Sequence, residues 1–282
     1  MSPPRIAYLG PAGTFTEDAL LEAEGGSVEG EPLRTETVYE AILAVERGEA
    51  DRALVPFENS IEGSVRATLD TLAFDATGVT IVGEYDYAVS PALIGRSGVS
   101  PDEVTTVLSH PQPLAQCARF IRERLPAVQT RAVSSTAEAV RLVSESEQPW
   151  AALGTRSAAE IYGASVLLDS VSDEEDNVTR FVWIAPVGTV PEAGGGVWKT
   201  TLIFAELGED HPGALVDALL EFSRREVNLT RIESRPRRSG LGRYMFFLDI
   251  EGAAEEEAVA AAIEALRSKA ESVRVLGSYP VA

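Results

Sequence analysis

The sequence predicts an α/β protein in two parts, a larger layered domain followed by a small module of strands and helices. Three observations carry that prediction. Up to residue 188, short apolar runs alternate with apolar residues at helical spacing, the pattern of helices packed on mostly parallel sheet. Gly188-Thr189-Val190-Pro191-Glu192-Ala193-Gly194-Gly195-Gly196 then breaks the periodicity with a proline and a glycine triplet, as a linker does. From residue 199 to 282 the order becomes strand, helix, strand, strand, helix, strand. The expected division is therefore 1–188, a linker over 189–198, and 199–282.

In the first part the expected strands are Ile6–Leu9, Ala53–Val55, Val79–Val82, Val104–Leu108, Thr130–Val133, Trp150–Leu153, Ser165–Leu168 and Val178–Ala185. Each is a short, mostly apolar run. Val38, Ile42 and Val45 mark one helix, and Leu114, Ala118, Ile121 and Leu125 a second, which places Cys117 on an apolar helix face as a small buried hydrophobe. In the second part Thr200–Glu206 reads as a strand, and Leu215, Leu219 and Phe222 as a helix. Leu229–Glu233 and Arg243–Asp249 follow as strands, Glu255–Arg267 as an alanine-rich helix and Val273–Gly277 as the last strand. That βαββαβ order is ferredoxin-like.

Composition narrows the chemistry. Hydrophobic residues make up 45% and charged residues 24%, the balance of a globular chain. Cys117 is the only cysteine, which rules out an intrachain disulfide, and with only His110 and His211 beside it a zinc or iron centre is not expected. No signal peptide is evident and no apolar run reaches the ~20 residues of a membrane span, so the expectation is a cytoplasmic protein with no membrane partner. The net charge of −20 repels a nucleic-acid backbone, so nucleic acid is not an expected partner either.

Several strands run directly into Ser, Thr or Asn and then a helix: residues 10–17, 56–64, 109–116 and, more weakly, 154–157. In an open α/β sheet such turns gather where ligands bind, and their helix N-termini offer N–H groups to an anion. The same residues also fit capping boxes, Thr14 with Glu17, Ser109 with Gln112 and Ser135 with Glu138, with Asn59 and Glu62 a near variant. Read from the residues alone, each is a cap before it is a ligand contact.

Val55-Pro56-Phe57-Glu58-Asn59-Ser60-Ile61-Glu62-Gly63, Ser109-His110-Pro111-Gln112-Pro113, Gly154-Thr155 and Asn177-Val178-Thr179-Arg180-Phe181, in that order, closely resemble prephenate dehydratases. Tyr8-Leu9-Gly10-Pro11 with Gly13-Thr14-Phe15 resembles the opening of that family. The second part resembles its ACT regulatory module, with Gly213-Ala214-Leu215-Val216 and Glu233-Ser234-Arg235-Pro236 as the two motifs associated with phenylalanine. The resemblance covers nearly the whole chain and is to the monofunctional form. It implies a catalytic domain of two α/β lobes, like type 2 periplasmic binding proteins, with the site in the cleft between them. It also implies conversion of prephenate to phenylpyruvate, water and carbon dioxide with no metal or organic cofactor.

The resemblance further implies roles. Thr179 is the donor to the departing hydroxyl, by hydrogen bonding or proton relay because a threonine hydroxyl is a very weak acid. Arg180 is read either as a fork for a substrate carboxylate or as half of a structural ion pair. Phe181 is core or cleft wall. Glu58, if in the cleft, is either protonated by desolvation or placed near the leaving oxygen. Asn59, Ser60, Thr14, Ser109, Gln116 and Thr155 are expected polar contacts for substrate, His110 a structural hydrogen bond, and Glu138 a cap first and a site residue second. Gly213, Ala214, Leu215, Val216, Asn228, Leu229, Glu233, Ser234, Arg235 and Pro236 are expected to bind L-phenylalanine between paired ACT domains, which implies a homodimer or homotetramer. Two alternatives stay open: an arogenate dehydratase, whose substrate carries an amino group in place of the keto oxygen, and a non-catalytic amino-acid sensor.

Overall fold

The computed structural model describes residues 3–28, 30–191, 196–207 and 212–281, so His211 and residues 192–195 of the expected linker lie outside the described residues. The chain forms two compact units, Met1–Thr68 with Asp86–Phe181, and Leu69–Tyr85 with Val182–Ala282.

The first unit has two lobes. Lobe one is built from β1 (Arg5–Leu9), α1 (Phe15–Ala23), β2 (Glu31–Thr35), α2 (Val38–Glu46), β3 (Arg52–Asn59) and the short β4 (Gly63–Ser64). β1 pairs parallel with both β2 and β3, and β4 folds back antiparallel on the end of β3. Ile6, Ala7, Tyr8, Leu54, Val55 and Phe57 are fully buried, as expected of a sheet covered by helices. The chain then runs through α3 (Arg66–Phe74) and β5 (Val79–Ala88) to lobe two.

Lobe two holds β6 (Ala92–Gly95), β7 (Thr106–Ser109), α4 (Pro111–Gln116), α5 (Ala118–Arg124), β8 (Gln129–Ala132), α6 (Thr136–Glu145), β9 (Trp150–Gly154), α7 (Arg156–Tyr162) and β10 (Ser165–Leu168). Its sheet order is β10-β6-β9-β7-β8. Successive residues feed opposite cores: Ile94, Leu108 and Ala152 pack with Val140 and Val143, while Leu93, Val107 and Leu153 pack with Ile121 and Leu125. Burial on both faces explains why these strands read as unbroken apolar runs. β11 (Val178–Pro186) returns to lobe one, where its first residues lie beside β3.

Several expectations are corrected. β2 and β6 were not anticipated, and lobe two is less parallel than expected, because β6 is antiparallel to both of its neighbours. The expected helix through Leu114 and Leu125 is two helices that break at Cys117, which ends α4 and begins α5; its side chain is fully buried and burial pushes its thiol pKa up. Ser109 is not a cap: it is the last residue of β7, its Oγ donates to the Leu153 carbonyl at 2.7 Å, and His110 caps α4 instead.

In the second unit β12 (Trp198–Leu207), α8 (Ala214–Ser223), β13 (Leu229–Pro236), β14 (Tyr244–Glu251), α9 (Glu257–Arg267) and β15 (Ala270–Pro280) realise the expected βαββαβ order. The strands run β13-β14-β12-β15, antiparallel throughout, and β15 continues onto β5 through Gly277 and Ile81. A Cβ at Gly277 would lie 2.2 Å from the Ile81 carbonyl oxygen, so only glycine permits that junction. Phe204, Phe222, Leu248, Ile250, Ala262 and Leu266 form the module's core, each fully buried.

Phe222→Ala removes a fully buried ring with nothing to fill its place, and about 3–5 kcal/mol of stability should go with it. The check is a denaturant melt in which the midpoint falls at constant slope.

Candidate active site

Lobe one and lobe two of the first unit enclose a cavity of about 1000 Å³. Leu9–Ala12, Thr14–Thr16, Arg34–Glu36, Val38, Pro56, Asn59, Val65, Thr179 and Phe181 line it from one side, with His110, Gln112, Pro113, Gln116, Ser134–Thr136 and Glu138 from the other and Val89 from the connection. The first turns of α1 and α6 therefore open on it, each with its positive end and free N–H groups. Thr14 Oγ1 accepts from Glu17 N at 3.3 Å and Ser135 Oγ from Glu138 N at 3.0 Å. Only the forward half of each capping box forms. Glu17 reaches back to Gly13 N at 2.6 Å rather than to Thr14, and Glu138 turns to Arg141 at 2.8 Å.

One chain of amides organises the wall. The backbone N–H groups of Ile61 and Glu62, which can only donate, both bond Asn59 Oδ1 at 3.0 Å. Asn59 must then present Nδ2 outward, where it donates to Asn177 Oδ1 at 2.8 Å, to Thr179 Oγ1 at 3.0 Å and to the Val178 carbonyl at 3.2 Å. Asn177, accepting through Oδ1, donates through Nδ2 to Gln116 Oε1 at 3.1 Å. Gln116 is left with Nε2 on the cavity wall, buried and with no hydrogen-bond partner among the described residues. Thr179 Oγ1 is occupied as an acceptor, so its own O–H is free to donate. Asn59 is the last residue of β3, where the strand turns back into β4, and not at the expected strand-to-helix junction.

His110 Nδ1 accepts from Gln112 N at 3.4 Å, the structural bond expected of it, and burial lowers its pKa. A neutral ring accepting at Nδ1 carries its proton on Nε2. Phe181 is on the wall and packs edge-on against Tyr87, ring centres 6.4 Å apart.

The remaining expected contacts lie elsewhere. Glu58 Oε2 accepts from Arg180 Nη2 at 2.9 Å, and the guanidinium sits 4.9 Å from the centre of the Phe57 ring; neither charged residue is on the cavity wall. Ser60 Oγ bridges the Asp176 carbonyl and Val178 N at 2.8 and 3.0 Å. Thr155 caps α7 and donates to the Gly13 carbonyl at 2.9 Å, fastening lobe two to the loop of lobe one. Gly13 has φ +82° and a Cβ there would stand 2.8 Å from Ala158, so that loop needs glycine.

Sequence reasoning missed Arg34 and Asn177 as site residues. Asn177 stood inside the quoted motif; Arg34 had no motif to flag it. Arg34 lines the cavity and binds Glu17 Oε1 through Nε and Nη2 at 3.3 and 3.0 Å, while the Tyr8 hydroxyl donates to the same oxygen. Burial opposes charge on Glu17, but the bonds from Tyr8, Gly13 and Arg34 outweigh it and hold the carboxyl below its usual range.

Of the expected effector residues, Gly213 precedes α8 with φ 101°, and Ala214–Val216 form its first turn. Leu229 and Glu233–Pro236 lie on the outermost strand β13. Asn228 gives its carbonyl to Glu251 N at 3.0 Å. Arg235 is paired with Asp70 Oδ1 through Nε and Nη2 at 3.1 and 2.7 Å.

Comparison with known proteins agrees with this geometry. The family model for prephenate dehydratase matches residues 6–188 and that for the ACT domain residues 201–268. A prephenate dehydratase of Mycobacterium marinum (strain ATCC BAA-535 / M) is 41% identical over 283 residues, covering 98% of this chain and 88% of the relative. The crystal structure of an Arthrobacter aurescens prephenate dehydratase in complex with L-Phe superposes with TM-score 0.88 at 38% identity, covering 98% of this chain and 89% of that one. A protein described as a quorum-quenching acylase, GqqA, superposes with TM-score 0.86 at 30% identity, covering 99% and 98%. With a full-length relative above two-fifths identity and the family model spanning both lobes, the chain belongs to the prephenate dehydratase family and carries that family's periplasmic-binding-protein-like fold followed by an ACT domain.

Proposed function

We infer that the cavity turns prephenate into phenylpyruvate, water and carbon dioxide, and that the observation carrying this is the pair of donors, Thr179 O–H and Gln116 Nε2–H, left over at the end of the amide chain. The substrate is a dianion with a ring hydroxyl. Its bond to the ring carboxylate breaks, the electron pair completes the aromatic ring, and the C–O bond breaks with its pair on the departing oxygen, which takes up one proton and leaves as water. Aromatisation supplies the drive. The protein has to orient the dianion and stabilise charge growing on the leaving oxygen. Thr179 does the second, its hydroxyl sharpened as a donor because Asn59 donates into it. The first turns of α1 and α6 receive the anion.

Domain by domain, the reading is a catalytic region over 1–188, a linker over 189–198 and an ACT region over 199–282. L-phenylalanine regulates through α8 and β13, with Gly213 letting the backbone approach the ligand carboxylate. Val216, Ile232 and Tyr244 are exposed apolar residues on those elements and on β14, which suits a homodimer or homotetramer formed there. A cytoplasmic location goes with the biosynthetic role; no helix of the described residues is long and apolar enough to cross a membrane.

The direct test is phenylpyruvate formation from prephenate by the purified chain with chelator present. Turnover supports the reading; none on prephenate but some on arogenate moves the substrate, cleavage of an acyl amide favours the acylase relative, and binding without any turnover favours a sensor. Thr179→Ala should lower kcat roughly 10²–10³-fold, the usual loss for one donor to a developing oxyanion, with KM changed much less. Thr179→Ser should keep most of the rate.

Calorimetry should show L-phenylalanine binding to the chain and turnover changing with it. Gly213→Val forces a β-branched side chain to φ 101° and should weaken that binding.

A further inference from the structure

A dianion entering this cavity needs a counter-charge, and the arginine that the sequence suggested for it is committed elsewhere. Arg180 holds Glu58 and lies off the wall. Among the described residues that line the cavity, Arg34 is the one arginine or lysine, and it shares the wall with the carboxylates of Glu36 and Glu138. Glu138 is already answered by Arg141 at 2.8 Å.

Arg34 is also held in a fixed attitude. Its Nε and Nη2 edge grips one oxygen of Glu17, whose other oxygen takes the Gly13 N–H at 2.6 Å and whose first oxygen also takes the Tyr8 hydroxyl. Tyr8 is fully buried and Glu17 nearly so, so the tether belongs to the core of lobe one. Gly10 completes it: a Cβ there would stand 3.3 Å from Arg34 Cβ, and its absence lets the arginine stem cross the loop. The tether uses one edge of the guanidinium and leaves Nη1 without a hydrogen-bond partner among the described residues, on a cavity-lining side chain that is 54% exposed.

We propose that Arg34 binds the side-chain carboxylate of the dianionic substrate, and that Glu17 is a positioning residue that aims it; this rests on the dehydratase reading above. The choice between the two carboxylates follows from the chemistry. The ring carboxylate loses its charge as carbon dioxide, so a cation against it would stabilise the ground state more than the transition state and slow the reaction. The side-chain carboxylate keeps its charge from substrate through to phenylpyruvate. A cation there binds all three states alike, lowering KM without touching kcat.

The experiment is steady-state kinetics on Arg34→Ala, Arg34→Lys and Glu17→Gln, with phenylpyruvate as product inhibitor. Arg34→Ala should raise KM roughly 10- to 100-fold, the loss of one charge-assisted contact, with kcat within about threefold. The inhibition constant of phenylpyruvate should rise by a similar factor, because product carries the same carboxylate. Arg34→Lys should recover part of both, and Glu17→Gln should shift both in the same direction by less. A fall in kcat with KM and product inhibition unmoved overturns the assignment, as does a variant with lowered Tm and unchanged kinetics. A wild-type chain that turns over no prephenate instead overturns the reading beneath it.

Discussion

The polarity of the site is set by two backbone N–H groups. Those of Ile61 and Glu62 can only donate, so Asn59 Oδ1 has to face them, and every later hydrogen of the chain is then assigned without choice. Asn59 donates to Asn177 and Thr179, Asn177 donates to Gln116, and the two ends of the branch are donors on the cavity wall. Reversing any amide would leave two donors facing each other in a buried place, which costs more than the bond it replaces. The turn between β3 and β4 therefore does more than connect strands: it orients groups on β11 and at the end of α4 that are far from it in sequence.

This arrangement reconciles an acidic protein with an anionic ligand. The chain carries 44 acidic against 24 basic residues, yet the cavity sets helix starts, neutral donors and one tethered arginine beside the carboxylates of Glu36 and Glu138, the second of which is paired with Arg141. Neutral donors suit a reaction in which one negative charge disappears as carbon dioxide and another forms on oxygen, since they are not committed to a fixed countercharge at either place. The lobes are fastened in the same local fashion, by Thr155 on the Gly13 carbonyl, by Ser157 donating to Asp18, and by Tyr162 donating to the Ala12 carbonyl at 3.0 Å. Burial raises the Asp18 pKa, with the Ser157 bond opposing it.

What could be read from the residues, and what could not, divides along the range of the interactions. The βαββαβ order and most strands of the first part follow from local periodicity, because strands covered on both faces are continuous apolar runs. β2 escaped because Glu31-Pro32-Leu33-Arg34-Thr35 is a largely exposed edge strand with no such run. Caps were legible only halfway. Thr14 and Ser135 cap as their spacing suggests, whereas Ser109 lost the position to His110 because its hydroxyl is taken by Leu153 on the neighbouring strand. Arg180 carried two readings that no amount of local pattern could separate, since its partner Glu58 lies 122 residues away in the chain.

The same distinction explains why Glu58 raised a difficulty in the sequence that the fold does not have. A carboxylate placed in the cleft would repel the dianion unless it gave up its charge or stood near the leaving oxygen. The structure puts it beyond the wall, against Arg180, with that guanidinium resting on Phe57. Next along β3 comes Asn59, whose amide takes the inward position. Side chains alternate faces along a strand. Glu58 and Asn59 therefore cannot both serve the cavity. A one-residue slip of β3 would exchange them and bring the acid in, so the backbone anchors on Asn59 Oδ1 and the β3–β4 pairing keep the acid out as much as they bring the donor in.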